Sequence, residues 1–135
     1  MTLAACSSSK KAANSTPVNF VNPPADRAVV YIMRPAFVGS LLNFKVELDG
    51  QLIGKTKGKQ YFYVFVEPGT RTLVSIAENK SEVPVVLEAG KTYFFEQEVK
   101  MGIVKARNTL VRIDEVDAKI KIQKCKLPKD FVAPE

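Results

Sequence analysis

Phe44-Lys45-Val46-Glu47-Leu48-Asp49-Gly50-Gln51-Leu52-Ile53, residues 44–53, is the most telling segment for the architecture. Phe44, Val46 and Leu48 alternate with Lys45 and Glu47, the period of a strand with one dry face and one wet face. Asp49-Gly50 then suits a two-residue hairpin turn, whose central residues need positive φ, and Gln51-Leu52-Ile53 begins the return strand. Upstream, Ala28-Val29-Val30-Tyr31-Ile32-Met33-Arg34 is a β-branched run closed by Pro35, which ends a ladder because it has no N–H to donate.

Downstream the same grammar continues. Tyr61-Phe62-Tyr63-Val64-Phe65-Val66 is apolar on both faces, which predicts a central strand between packed layers rather than an edge. Glu67-Pro68-Gly69-Thr70 has the proline and glycine of a type II reversal, and Thr72, Val74 and Ile76 then alternate with Arg71, Leu73 and Ser75. Val83-Pro84-Val85-Val86-Leu87 is a further strand that Pro84 assigns to an edge. Ala89-Gly90 turns the chain into Thr92 to Val99, with Tyr93, Phe95 and Val99 on one face, and Thr109 to Ile113 is the last strand. Short strands with turns every eight to twelve residues or so predict a mainly β protein, a small antiparallel β-sandwich of immunoglobulin or prealbumin type.

The C-terminal part changes character. Asp114, Glu115 and Asp117 precede Lys119, Lys121, Lys124 and Lys126, the charge order that a helix dipole favours, and Leu127-Pro128 supplies a stop. A short C-terminal helix would put Ala118, Ile122 and Cys125 on one face, although Lys119-Ile120-Lys121-Ile122-Gln123 also alternates as a strand would, so residues 115–126 admit both readings.

At the other end, Leu3-Ala4-Ala5-Cys6 followed by Ser7-Ser8-Ser9-Lys10-Lys11 has the form of a bacterial lipoprotein processing site, with Cys6 as the residue to be acylated. Five residues are too few for a secretory signal with its apolar stretch of roughly 7–15, so residues 1–5 are read as the remnant of a signal peptide; the competing reading makes Cys6 an ordinary cysteine of a cytosolic tail. Residues 6–26, rich in Ser, Ala, Asn and Pro, are expected to form a lipidated flexible tether, 27–127 the sandwich with its helix, and 128–135 a tail. Ser7 rather than Asp after the cysteine favours, by the usual bacterial sorting rule, an outer-membrane protein facing the periplasm.

Taken in order, Val30-Tyr31-Ile32-Met33-Arg34-Pro35, Val46-Glu47-Leu48-Asp49-Gly50-Gln51-Leu52-Ile53-Gly54, Tyr61-Phe62, Pro68-Gly69 and Ala89-Gly90-Lys91-Thr92-Tyr93-Phe94 resemble a family of small bacterial lipoproteins known only as a domain of unknown function. The resemblance spans roughly residues 27 to 115, and the part from Leu48 to Val74 is also similar to PEGA-type surface β-modules. It implies a lipid-anchored β-sandwich of the cell envelope and contributes no catalytic residue.

The chain of 135 residues carries 20 Lys and Arg against 14 Asp and Glu, a net charge of +6 with pI near 9.4. Its basic clusters, Lys55-Thr56-Lys57-Gly58-Lys59 and Lys119 to Lys129, lack the interleaved aromatics of a nucleic-acid platform, so no nucleic-acid partner is expected and a basic cytosolic nucleic-acid binder stays an alternative. Mild basicity in an anchored domain suits an anionic lipid or polymer surface. The absence of histidine removes Ser-His-Asp and Cys-His arrangements and most zinc sites, so neither metal nor cofactor is expected. Gly54-Lys55-Thr56 and Gly90-Lys91-Thr92 lack the upstream glycine of a phosphate loop. Glu96 and Glu98 share a strand face and could serve a carboxylate-dependent hydrolase of envelope polymer, or could simply be that strand's solvated face. The residues expected to form a binding surface, for an envelope protein or polymer, are Arg34 and Phe37 with Lys55, Lys57 and Lys59. Arg34 could equally stack on Tyr31 or pair with an acid, and Phe37 could anchor its loop under the sheet.

Overall fold

The computed structural model describes residues 18–101 and 106–135. Eight strands, β1 (Ala28–Arg34), β2 (Phe44–Leu48), β3 (Gln51–Thr56), β4 (Gln60–Val66), β5 (Gly69–Ile76), β6 (Lys80–Leu87), β7 (Thr92–Met101) and β8 (Ala106–Ile113), precede helix α1 (Glu115–Lys121) and a 3₁₀ turn at Ile122–Lys124. They form two four-stranded sheets, β4-β1-β7-β8 and β3-β2-β5-β6, stacked as a sandwich. Asp49 and Gly50 take φ of 50° and 84°, the positive values that the β2–β3 hairpin requires.

Between the sheets lie Val30, Ile32, Val46, Phe62, Leu73 and Phe95, the inward half of each alternation. The outer face of the first sheet is apolar as well. Tyr31, Met33, Tyr61 and Phe94 meet Ala118, Ile122 and Cys125, the three residues that the helical reading places on one face, together with Val18, Phe20 and Val21 from the N-terminal side. Asp114 caps α1, its side chain accepting from the Asp117 N–H, with Glu115 and Asp117 in the first turn and Lys119 and Lys121 in the last. The strand reading of residues 115–126 is therefore set aside.

Two expectations need correction, the place of β4 and the extent of the terminal segments. β4 is an edge strand, paired along its length with β1 and bridged on its other side only at Gln60 to Lys126, and not a central one. It is apolar on both sides because the C-terminal segment and the N-terminal residues cover its outer face; two apolar faces report layers, not position in the ladder. The expected mainly β, antiparallel sandwich is borne out, with one parallel pair within it: β1 and β7, with Val29 opposite Thr92 and Met33 opposite Glu96. Residues 18–26, expected to be tether, are packed: Phe20 lies 5.5 Å from Tyr31 between ring centroids, and the Val21 N–H donates to the Tyr31 hydroxyl at 2.9 Å. Likewise Phe131 of the expected tail packs on Tyr63, and the Glu135 carbonyl accepts from Arg27.

β6 is an edge strand, as Pro84 indicates. It faces the edge of β8, where the Asn108 N–H donates to Asn79 Oδ1 at 2.8 Å and the Leu110 N–H to Ser81 Oγ at 3.0 Å. Inside, Thr56 Oγ1 donates to Gln97 Oε1 at 2.6 Å and Gln97 Nε2 donates to Ser75 Oγ at 2.9 Å, so a short polar chain ties the two sheets together within the core.

Cys125 is buried beneath the 3₁₀ turn, and burial pushes its thiol up to about 11. Because the thiolate is the nucleophile, native Cys125 is expected to alkylate at pH 8 on the order of a hundred-fold more slowly than in denaturant. Peptide mass mapping after iodoacetamide treatment checks this; equal rates in the two conditions would show an open site.

Candidate functional site

The antiparallel pairing of β1 with β4 and the parallel pairing with β7 bring the C-terminal ends of β1, β3, β5 and β7 to one end of the sandwich. This end, the loop pole, carries the β1–β2 loop at 35–43, the β3–β4 turn at 57–59 and the β5–β6 turn at 77–79, whose Glu78 lies beside Leu42 and Met101. The opposite end carries Asp49-Gly50, Glu67-Pro68 and Glu88-Ala89-Gly90.

Arg34 organises the loop pole from within. Ala28, Val30 and Ile32 point inward, and Arg34 continues that alternation, so its side chain enters the sandwich and is 0% exposed. The guanidinium stacks 3.7 Å from the centroid of the Phe44 ring and donates to the carbonyls of Gly39 at 2.7 Å, Leu42 at 2.6 Å and Thr56 at 2.9 Å. Burial pulls it down to about 10, which still leaves it charged at neutral pH. The expectation of Arg34 as part of a binding surface is thereby corrected: it touches neither solvent nor an acid and instead holds the loop in shape.

The remaining expected residues do gather on this surface. Phe37 is 70% exposed and Leu41 84%, with Val38 and Leu42 nearly half exposed beside them. Phe37 is no loop anchor. The Gly58 N–H donates to the Ser40 carbonyl at 2.9 Å and the Lys59 N–H to the Arg34 carbonyl at 2.8 Å, so the turn bearing Lys57 and Lys59 is pinned against the apolar loop. The site of a Gly39 Cβ lies 3.2 Å from Met101 Sδ, which adds a half-exposed methionine to the patch. Lys59 also reaches the C-terminal segment, its carbonyl accepting from the Lys126 N–H at 3.0 Å.

Beside the patch lies a groove of about 720 Å³ lined by Lys55, Lys57, Lys126, Lys129, Gln60 and Asp130, among others. None of its four lysines belongs to an ion pair among the described residues. The sequence reading took Lys55, Lys57 and Lys59 but missed Lys126 and Lys129; their signal, the basic run to Lys129, was visible, but its return to the β3–β4 turn depends on the bridge between Gln60 and Lys126. Leu41 and Leu42 were missed because exposure in a loop has no period. A smaller apolar cavity of about 310 Å³ sits between β3, β4 and the C-terminal segment, against Phe62 and Phe131.

Glu96 and Glu98 lie in different surroundings although both act on Lys121. Glu96 is nearly buried under α1, where its Oε1 accepts from Lys121 Nζ at 2.6 Å, while Glu98 is exposed. Cys6 lies outside the described residues.

Residues 24–109 match the family described as a protein of unknown function, DUF2846. The chain belongs to the DUF2846 family. The resemblance read over roughly residues 27 to 115 is thus borne out as membership of a family whose role is undetermined. The DUF2846 match takes in Arg34, the whole 35–43 loop and Lys55 to Lys59, and leaves α1, Lys126 and Lys129 beyond its end. An uncharacterized protein of Haemophilus influenzae is 27% identical over 112 residues, spanning 82% of this chain and 67% of the relative.

Proposed function

We propose that this DUF2846 protein is a lipid-anchored component of the bacterial envelope, held through Cys6 to the outer membrane and facing the periplasm, and that its sandwich is a non-catalytic binding module. The observation that carries the binding role is the exposure of Phe37 and Leu41 on a loop that Arg34 pins from inside. Exposed apolar side chains on a braced backbone are unfavourable in water and are the usual mark of a contact surface. The anchor rests on Leu3-Ala4-Ala5-Cys6 alone. For a non-catalytic role, the supporting observation is that the Glu96 carboxylate is engaged by Lys121 beneath the helix.

The test is the mass of the N-terminal peptide from the membrane fraction of cells expressing the gene from its native locus. An acylated peptide beginning at Cys6 is expected, and Cys6→Ala is expected to convert the protein to a form that high salt releases. An unmodified cysteine in the soluble fraction would refute the anchored reading.

A further inference from the structure

We infer that the loop pole docks on an anionic lipid surface, with Phe37, Val38, Leu41 and Leu42 entering the interface and the lysine groove receiving phosphate headgroups. The inference deepens the binding role proposed above by naming what is bound.

Four observations converge on it. The exposed apolar side chains sit on one loop at one end of the molecule, a shape suited to insertion at an interface rather than to lining a pocket. Immediately beside them, Lys55, Lys57, Lys126 and Lys129 line one groove with Asp130 as its single acid. All fourteen Asp and Glu lie among the described residues, so the lack of an ion-pair partner for these lysines is complete. Ammonium groups on long stems next to an apolar tip are the arrangement that anionic headgroups attract, because the stems reach along the apolar surface while the charges stay hydrated.

The third observation is the distribution of acids. The acids of the opposite end are largely paired there, Asp49 with Arg71, Glu88 with Lys91 and Asp26 with Arg27, whereas the groove lysines have no such partner and the loop pole adds only Glu78, beside Leu42 and Met101, to Asp130, so unpaired positive charge lies at the loop pole. A negative leaflet would orient it with the loop pole inward. Fourth, the described chain enters at this same end: the Val18 N–H donates to Gln123 at 3.2 Å, and Val18 shares a cavity with Tyr61, Cys125 and Lys126. From there residues 18–27 run across the sheet to β1. An anchor at Cys6 would therefore be tied on at the docking end, and tether and lysines would act together.

The chain has no tryptophan, so Phe37→Trp supplies a single reporter at the tip. It is made in the full chain with Cys6→Ala, which removes acylation, and mixed with vesicles of phosphatidylglycerol and phosphatidylethanolamine or of phosphatidylcholine alone. The expected result is a blue shift and protection from aqueous quencher on the anionic vesicles only, reversed by salt. Lys57→Gln with Lys126→Gln is expected to weaken partition roughly 30-fold. These are exposed side chains, so circular dichroism should be unchanged. No shift on either vesicle would overturn the inference, as would an equal shift on both. A shift that grows with protein concentration in the absence of lipid would overturn it in favour of self-association. Acylation of Cys6 is read separately by peptide mass, so a chain that is acylated but whose Trp reporter ignores vesicles keeps its anchor and loses only the docking pole.

Discussion

Arg34→Met is expected to lower the stability of the domain by about 3 kcal/mol, with a fall in Tm of roughly 12 °C. The side chain is fully buried, and it replaces water for three carbonyls. Methionine fills much of the volume but donates nothing. Gly39 and Leu42 lie in a loop and can recover a water, whereas the bond to Thr56 is buried and its carbonyl would be left without a partner. Leaving such a group unmade costs about 1–3 kcal/mol, and losing the guanidinium over the Phe44 face adds to it. Arg34→Lys retains the charge, but one ammonium lacks the planar fork that reaches three separate carbonyls, and it should recover less than half of the loss. Thermal and urea melts monitored by circular dichroism measure both; a methionine variant within about 0.5 kcal/mol of the parent would show that the loop holds itself.

Gly58→Ala is the second large effect. A Cβ there would lie 2.6 Å from Ser40 Cα and 2.5 Å from Ser40 Cβ, and 3.2 Å from the Ala36 carbonyl oxygen. Two of these three atoms belong to backbone, so no side-chain rotation relieves the contact and the two loops must part. A loss of about 2 kcal/mol is expected, within the range for overpacking, along with the Gly58 to Ser40 hydrogen bond. Amide exchange at Gly58 and Lys59 should accelerate more than at β5 or β7, because the damage is confined to the loop pole. Uniform protection with an unchanged melting curve would contradict the contact.

The elements that could be read from sequence are those whose cause is local. The hairpin at Asp49-Gly50, the edge position of Pro84, the acid-to-lysine order of α1 and the shared face of Ala118, Ile122 and Cys125 each follow from neighbouring residues. The misplaced features depend on distant partners. Nothing near β1 announces that β7 will pair with it in parallel, and the apolar faces of β4 are explained by Val18, Phe131 and the 3₁₀ turn, far away in the chain. The candidate site divides along the same line. Phe37 and the lysines of 55–59 were legible as residue types without known neighbours, while Arg34 was misassigned although its inward position follows from continuing Val30 and Ile32 by two.

The side-chain bonds that Asn79, just ahead of β6, and Ser81 within it make to β8 bear on how this protein can and cannot associate. An edge strand with free N–H groups invites another chain to extend the sheet, and that is a hazard wherever copies are crowded in two dimensions. Here the outward amides of Asn108 and Leu110 are already spent on Asn79 and Ser81, and Pro84 has none to offer. The amides of Asn108 and Leu110 are thus unavailable to an added strand, so along this stretch copies held side by side would meet through side chains.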